Sequence, residues 1–354
     1  MPKVNNNEMV NNIRSLALDM INEAGSGHPG ICLGAAPILY TLFTNHLDFD
    51  LNKKDWINRD RFVLSAGHGS ALLYACLFCL NENDYNLNDL KNFRNMYSCT
   101  PGHPEYNLQH RIEVSTGPLG QGVANAVGMA MAGKFLGEKF YHKKYDLFDY
   151  NVYTLVSDGD LMEGISYEAL SIASKFNLDN LIVLYDANGV TLDGDTEDNY
   201  VDNIMSIYRD LNFEVFYIKK GDSIREIDKA INASKKANHP SLIVINTTIG
   251  KYSSYEGTNK IHGKLELDDY KEIKETLGYS EKWEIDKDNL TAYRQFINDR
   301  VDGNFKEWYE DYEGFIKDCD DKTRVMLDSI INNDSISLML DKVIDTEKLF
   351  VERD

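Results

Sequence analysis

The chain has 354 residues, of which 43% are hydrophobic and 27% are charged. This is an ordinary composition for a globular protein with an ample core. Its formal net charge of −20 excludes nucleic acids and anionic membrane surfaces as partners for the molecule as a whole. No window approaches roughly 18 uninterrupted apolar residues, so no membrane span is predicted. An anionic ligand must therefore be held locally, by a metal, by backbone amides or by a few histidines.

The five cysteines favour a reducing environment. Cys76 and Cys79 lie within the apolar run 72–80, which predicts a buried helix better than a redox or zinc site. Cys32 is interpreted as a small buried residue, with a reactive thiol as the alternative. The first residues lack the apolar stretch of a signal peptide. The cytoplasm is the expected compartment.

The first third of the chain predicts helices separated by glycine-rich loops. Apolar residues at helical spacing predict a helix from Val10 to Glu23, which ends in the Gly- and Pro-rich segment 24–30. A second helix is predicted from about Leu33 to Asn45. A short strand over 61–65 leads directly into Gly67-His68-Gly69-Ser70 and the buried helix beyond.

From Tyr150 onward, strand and helix signals alternate. Short apolar strands that are separated by helices indicate a parallel sheet covered on both faces, a doubly wound α/β fold. Strands are predicted at 152–156, 181–185, 213–218 and 241–247, and helices at 165–176 and 223–237. After Gly263 the chain becomes acidic, with helices predicted at 267–277, 290–298 and 308–331. We expect residues 1–263 to form the α/β domain and residues 264–354 an acidic, helical, linker-like tail.

The most specific feature of the sequence joins Asp158 to Asn188. Each follows a predicted strand, with one helix between them, so a right-handed crossover places both side chains at the carboxyl edge of the sheet. Their oxygens suit Mg²⁺ or Ca²⁺, and the carbonyl of Val190 could be a third ligand. Gly159 allows close backbone approach to an anion. Each Asx-Gly pair alone is more typical of a turn, and the joint placement favours a metal site.

Other phosphate and metal motifs fit the chain poorly. An EF-hand starting at Asp193 fails because its sixth position is Asp198 and its twelfth is Ile204. No GxxxxGK[ST] loop occurs, which excludes a P-loop nucleotidase. Gly117, Gly120 and Gly122 form a GxxGxG pattern, which is weak evidence for a dinucleotide site.

Four of the eight histidines adjoin glycine, and they are His28, His68, His103 and His262. A single histidine in a turn is usually polar surface. Four such residues together favour a polar substrate pocket. No HxH or HExxH pair occurs, so a zinc site is not predicted.

These segments together resemble the transketolase family, specifically its N-terminal domain that binds the diphosphate of thiamine diphosphate. The matching motifs follow the family's order from about residue 8 to residue 263. They are Ser26-Gly27-His28-Pro29-Gly30, Gly67-His68-Gly69-Ser70, Thr100-Pro101-Gly102-His103-Pro104-Glu105, Thr116-Gly117-Pro118-Leu119-Gly120-Gln121-Gly122, and Asp158-Gly159 through Asn188. The Ser-Gly-His-Pro-Gly form argues against the related deoxyxylulose phosphate synthases. Ser157 stands where the family usually has glycine.

The resemblance implies a role for each matching residue. The metal would be held by Asp158, Asn188 and the Val190 carbonyl. The cofactor would contact His68, Gly117, Leu119, Gly159, Glu163 and Asn188. The ketose would meet His28, His103 and His262, which donate hydrogen bonds to developing alkoxide charge or carry protons. Asp160 is a departure beside the metal motif, and we expect it to be exposed.

The resemblance also implies an activity and a missing part. The activity is transfer of a two-carbon unit from a ketose phosphate to an aldose phosphate, a pentose phosphate pathway reaction of a dimeric enzyme. The family's pyrimidine-binding domain is not recognised in this chain. A separate subunit supplies it or the chain is a truncated form, and the long tail favours truncation. The alternative function is an inactive module that binds the cofactor and needs a pyrimidine-domain partner.

Overall fold

The computed structural model describes residues 4–331. The predicted tail beyond residue 331 lies outside the described residues. The helices are α1 (Asn6–Ala24), α2 (Pro29–Gly34), α3 (Ala36–Asn45), α4 (Ser70–Leu80), α5 (Leu87–Lys91), α6 (Gln121–Lys139), α7 (Asp158–Met162), α8 (Gly164–Lys175), α9 (Thr196–Asn199), α10 (Ile204–Asp210), α11 (Ile224–Ser234), α12 (Leu267–Leu277), α13 (Lys287–Val301), α14 (Asn304–Asp318) and α15 (Asp321–Ile331). The strands are β1 (Arg61–Leu64), β2 (Val152–Ser157), β3 (Leu181–Ala187), β4 (Val190–Thr191), β5 (Gly194–Asp195), β6 (Glu214–Ile218) and β7 (Ser241–Asn246).

A five-stranded sheet in the order β1-β2-β3-β7-β6 forms the centre of the fold, and every neighbouring pair in it is parallel. The predicted parallel sheet and the doubly wound α/β class are therefore confirmed. The central strands are buried on both faces, as their nearly continuous apolar runs indicate. Strands β4 and β5 form a separate antiparallel pair just after β3.

Alternate residues of each strand pack into different layers. In β3, Ile182 and Leu184 pack with α1, α3, α4 and α11, whereas Leu181 and Val183 pack with α6, α8 and α10. This follows from the two-residue period of a strand, which sends successive side chains to opposite faces. The buried helix predicted for 72–80 is α4, and all of its residues are buried.

The helices after Gly263 pack against the α/β layers. Tyr270, Ile273 and Leu277 of α12 form an apolar cluster with Leu18 of α1. Helix α13 contributes further buried side chains to the largest core cluster. The segment predicted as one helix over 308–331 is two helices, because the chain bends at Cys319 and Asp320 caps the next helix. The division of the chain at Gly263 stays a prediction. No helix within residues 4–331 is both long and apolar enough to cross a bilayer.

Candidate functional site

The two predicted oxygen ligands lie together at the carboxyl edge of the sheet. Strands β2 and β3 run parallel with Ser157 beside Asp186, so the residues that follow each strand meet at one edge. Asp158 begins α7, and Asn188 follows β3 directly. The N–H of Gly189 donates to Oδ2 of Asp158 over 3.3 Å. The segments that follow β2 and β3 therefore meet at the edge of the sheet that the right-handed crossover predicts.

Buried carboxylates make this edge strongly acidic. Asp158 accepts a 2.6 Å hydrogen bond from the hydroxyl of Tyr185, and burial raises the pKa of Asp158. Asp186 accepts hydrogen bonds from the hydroxyl of Thr247 and from Nδ2 of Asn188. Burial raises the pKa of Asp186 to about 6. A divalent cation at this edge would offset the cost of the two buried carboxylates.

The donor set at this edge suits a hard cation. Asp158 offers a carboxylate, Asn188 an amide oxygen and Val190 a carbonyl, and Mg²⁺ and Ca²⁺ both prefer oxygen ligands. The amide oxygen of Asn188 now accepts the N–H of Val190 at 3.0 Å. Within residues 4–331, no group of three or more His, Cys, Asp or Glu side chains is arranged to hold a metal. The three oxygen donors named above are fewer than the six or more ligands that Mg²⁺ or Ca²⁺ takes.

The four glycine-flanked histidines converge beside this edge. The ring centroid of His28 lies 5.2 Å from that of His68, 6.3 Å from that of His103 and 5.8 Å from that of His262. The rings of His68 and His262 stack at 5.4 Å. Residues that are up to 234 positions apart in the sequence (262 − 28) thus form one cluster.

Desolvation lowers the pKa values of these four imidazoles and favours their neutral form near pH 7. Desolvation, together with the neighbouring His262, Arg94 and His103, lowers the pKa of His28 to about 4. Desolvation and the other rings lower the pKa of His68 to about 3. The pKa values of His103 and His262 are also lowered, chiefly by desolvation. A neutral imidazole can either donate or accept a hydrogen bond, which suits it to exchange protons with a ligand.

Two ring nitrogens in the cluster have no partner. Nδ1 of His28 and Nδ1 of His262 are buried and make no hydrogen bond within the described chain. Buried polar atoms are normally hydrogen-bonded, so these two indicate a polar ligand. They adjoin a pocket of about 240 Å³ lined by His28, Ile31, His68, Gly117, Leu119, Ser157, Gly159, Asn188, Val190, Thr191, Leu192, Ile249 and His262.

Glycines bring two of the pocket loops into contact. A Cβ on Gly67 would lie 2.8 Å from the backbone nitrogen of Gly117, so no larger residue fits there without moving the loop. Gly117 itself has a φ of 150°, which L side chains rarely adopt. The absence of a side chain at Gly67 therefore allows the loop at His68 and the loop at Gly117 to lie against each other beside the pocket.

The remaining predicted site residues do not all line the pocket. Leu119 and Gly159 line the pocket with His68. His103 lies next to His28 but is not among the described lining residues. Glu163 is exposed at the start of α8 and lines a neighbouring depression with Tyr167 and Tyr200.

Comparisons with known proteins agree with this geometry. Residues 5–334 match the family model described as "Transketolase, thiamine diphosphate binding domain". The chain belongs to the transketolase family.

Individual relatives give the extent of the transketolase match. A probable transketolase of Streptococcus pneumoniae is 42% identical over 85% of this chain and 46% of its own length. The transketolase of Aquifex aeolicus is 40% identical over 86% of this chain and 45% of its own. The solved transketolase of Leishmania mexicana superposes with a TM-score of 0.85 at 39% identity, over 89% of this chain and 48% of its own. The chain spans about half the length of the relatives it matches.

One residue beside the transketolase motif was predicted wrongly. Asp160, which the sequence suggested to be exposed, is fully buried. Its carboxylate accepts four hydrogen bonds from surrounding groups, and these replace the water that an exposed carboxylate would have. Cys32 is buried as predicted, and burial raises the pKa of its thiol to about 12, which makes it unreactive.

Sequence reasoning missed three residues of this transketolase-family site. Tyr185 and Asp186 lie near the end of the apolar strand β3 and form hydrogen bonds with Asp158 and Asn188. Two polar groups at the end of an apolar run were a signal that they face a site. Arg94 has a left-handed φ of 64° and donates to Oγ of Ser26 over 3.3 Å, beside the histidines. No sequence pattern pointed to Arg94.

Proposed function

We propose that this chain is the diphosphate- and metal-binding part of a transketolase. The activity is transfer of a two-carbon unit from a ketose phosphate to an aldose phosphate with thiamine diphosphate. One observation carries the proposal. His28, His68 and His262, two of them with an unpartnered Nδ1, line a pocket whose other wall is the edge bearing Asp158 and Asn188, and the ring of His103 lies 6.3 Å from that of His28.

Asp158, Asn188 and the carbonyl of Val190 are the proposed metal ligands. Magnesium is the first choice of cation and calcium the second, because the donors are all oxygens and few in number. The cation would link the acidic edge to the two phosphates, which would otherwise be repelled by Asp158 and Asp186. Asn188 would turn its amide oxygen from the N–H of Val190 to the cation.

The remaining cofactor contacts are proposed from the pocket lining. His68 and Gly159 would contact the diphosphate, and Gly117 and Leu119 would line the rest of the cofactor. Glu163 is exposed at the start of α8 in this chain. It would support the site from there in an assembled enzyme. When bound, thiamine diphosphate supplies the carbanion chemistry that the side chains lack.

The substrate side of the pocket is proposed to be His28, His103 and His262. Neutral imidazoles donate hydrogen bonds to the carbonyl and hydroxyl oxygens of a ketose and stabilise charge as it develops on them. The unpartnered Nδ1 atoms of His28 and His262 are free to accept or return a proton. A solved transketolase of Pichia stipitis, 34% identical to this chain, is described as a complex with sedoheptulose 7-phosphate, which supports sugar phosphates as the substrate class.

The proposed partners follow from the length of the relatives. The remaining half of those proteins would supply the pyrimidine-binding domain, from another segment or another subunit, and a homodimer is the proposed assembly. The cytoplasm and the pentose phosphate pathway are the proposed setting, and the five free thiols within the described chain agree with a reducing compartment.

Calorimetric titration of the chain with thiamine diphosphate tests the binding function. We expect binding that requires Mg²⁺ and that falls at least about tenfold in Asp158→Asn, because the cation loses its charged ligand. Asp179→Asn is the control, since Asp179 pairs with Lys134 at the opposite edge of the sheet. Equal binding with and without a divalent cation would contradict the proposal.

A ketol-transfer assay separates the working component from the inactive module. We expect no turnover of xylulose 5-phosphate and ribose 5-phosphate by this chain alone, and turnover after the pyrimidine-binding half of a relative is added. Binding of the cofactor without turnover in the mixture would favour the inactive module. Turnover by the chain alone would show that no second domain is needed.

A further inference from the structure

Asp160 connects three segments of the chain through one buried carboxylate. Its Oδ1 accepts the hydroxyl of Ser65 at 2.6 Å and the N–H of Gly120 at 2.9 Å. Its Oδ2 accepts the N–H of Ser157 at 2.9 Å and the hydroxyl of Ser157 at 3.0 Å. The side chain has no solvent exposure. Both oxygens are therefore fully used by donors from outside α7.

Each of these three segments runs directly into the lining of the pocket. Ser65 is followed by Gly67 and His68, and Gly120 is preceded by Gly117 and Leu119. Ser157 precedes Gly159 and itself lines the pocket. Asp160 is not among the described residues that line the pocket, so it acts on a ligand only through the segments that it holds.

Two of the segments that Asp160 joins are also in direct backbone contact. A Cβ on Gly122 would lie 2.5 Å from the Cα of Ser65, so the two backbones are in contact. The hydroxyl of Ser65 also accepts the N–H of Val123 over 3.2 Å. Two short loops in backbone contact gain a fixed spacing when one rigid acceptor binds both of them.

We propose that Asp160 is a positioning residue for the diphosphate: its buried carboxylate fixes the spacing of the three segments that contain Ser65, Gly120 and Ser157. This rests on the proposed binding of thiamine diphosphate. Four donors stabilise the carboxylate of Asp160, which is not among the described residues that line the pocket. Asp160, a departure beside the metal motif, would thus hold the segments that line the pocket.

The variant Asp160→Asn tests the role of the carboxylate. An amide has one acceptor oxygen in place of two, so the N–H of Gly120 or of Ser157 must lose its acceptor. We expect thiamine diphosphate, in the presence of Mg²⁺, to bind the variant about tenfold or more weakly in calorimetry, because the free protein would no longer hold the three segments at the spacing that the bound cofactor needs. We also expect faster amide hydrogen exchange in residues 65–70, 117–123 and 157–162.

Asp60→Asn is the matched control. Asp60 is also buried and accepts two backbone N–H groups, of Asp48 at 3.0 Å and of Asn151 at 2.6 Å. It lies before β1, at the opposite edge of the sheet from Asp158. We expect Asp60→Asn to lower the urea midpoint and to speed exchange near residues 48 and 151, with cofactor affinity unchanged.

Ser65→Ala keeps the proposal testable where Asp160→Asn does not fold. It removes one donor and leaves Asp160 with the other three, so we expect a smaller loss of cofactor affinity and faster exchange at 117–123. Wild-type affinity in a folded Asp160→Asn or, failing that, in Ser65→Ala would overturn the positioning role. Absence of binding by the wild-type chain would instead overturn the proposed function. In that case unchanged exchange in the three segments would separately overturn the positioning role.

Discussion

At the scale of single residues, the partly buried His28 and His68 couple the stability of the chain to pH. In the unfolded chain an imidazole takes up its proton near pH 6.5, whereas His28 and His68 have folded pKa values of about 4 and about 3. Between the folded and the unfolded pKa values, the unfolded chain therefore binds more protons than the folded chain. Stability from these two groups is fully present above pH 6.5 and is lost as the pH falls toward 4.

His68→Asn isolates this effect. We expect the variant to lose less stability than the wild type between pH 7 and pH 4.5, by on the order of 2 kcal/mol, because asparagine takes up no proton on unfolding. Urea unfolding at both pH values measures the difference. The exposed His239→Asn is the control, and an equal loss in all three proteins would contradict a buried neutral imidazole. The change in stability of the variant must be compared with that of the wild type, because other groups also titrate in this range. Burial raises the pKa of Asp60 to about 7, so protonation of Asp60 stabilises the folded chain as the pH falls, which opposes the effect of the histidines.

The sequence predicted some of these residues and missed others for a physical reason. Histidines that adjoin glycine are visible as a local pattern, and all four lie in one cluster. The burial of Asp160 depends on Ser65 and Gly120, which are far from it in the sequence. A local pattern records which groups are present, and it does not record which distant donors will surround a carboxylate.

At the scale of elements, alanine substitutions at two glycines of α6 should change the stability of the chain in opposite directions. A Cβ on Gly122 would collide with the backbone of Ser65, whereas a Cβ on Gly128 would meet nothing within 4 Å. We expect Gly122→Ala to destabilise the chain by about 1–3 kcal/mol through overpacking. We expect Gly128→Ala to stabilise it by up to about 1 kcal/mol, because glycine is a poor helix former.

Urea denaturation of the two alanine variants of α6 measures the predicted loss and the predicted gain in the free energy of unfolding. The same substitution in the same helix makes each variant the control of the other. A stabilised Gly122→Ala would contradict the close contact between α6 and the loop at Ser65.

The elements that the sequence predicted best are those whose signal is local. The strands β2, β3 and β7 were predicted from apolar runs and differ by one or two residues at their ends. Helix α6 was not predicted, because four glycines and several alanines leave it little apolar periodicity. Its residues are small because α8, β1 and β2 pack closely on it, which is a tertiary constraint.

At the scale of the whole molecule, a buried ion pair joins the first helix to the segment after Gly263. Nζ of Lys274 lies 2.9 Å from Oδ2 of Asp19 and donates to Oγ of Ser15 over 2.7 Å. Asp19 also accepts the hydroxyl of Tyr270 at 2.6 Å and the N–H of Trp283 at 2.8 Å. Both charged side chains are almost fully buried.

Lys274→Met tests how strongly this pair attaches α12. We expect a loss of about 3–5 kcal/mol, because Asp19 would remain buried without its counter-charge. The double variant with Asp19→Asn should recover part of the loss, since it removes the stranded charge. Thermal unfolding followed by circular dichroism measures all three proteins. A single variant as stable as the wild type would contradict a buried ion pair.

An apolar face of α8 bears on assembly. Ile165, Ile172 and Phe176 are 46%, 44% and 60% exposed, and their spacing places them on one side of the helix. We expect the chain to self-associate through this face in sedimentation velocity, and Ile172→Asp to shift it toward monomer. Phe296→Asp, at an exposed site on α13, is the control. A wild-type chain that stays monomeric at high concentration would contradict the prediction.

The pairing of Asp19 with Lys274 also bears on the order of events at the ribosome. The two residues are 255 positions apart, so the carboxylate of Asp19 leaves the exit tunnel long before its counter-ion exists. At about 5–20 residues per second, that interval is roughly 13–50 seconds. Until then α1 can pack against α3 and α4 but lacks α12, and the apolar surface around Leu18 that α12 covers is open to chaperones. Slowing translation between the two positions should therefore lengthen the chaperone-bound phase of the nascent chain.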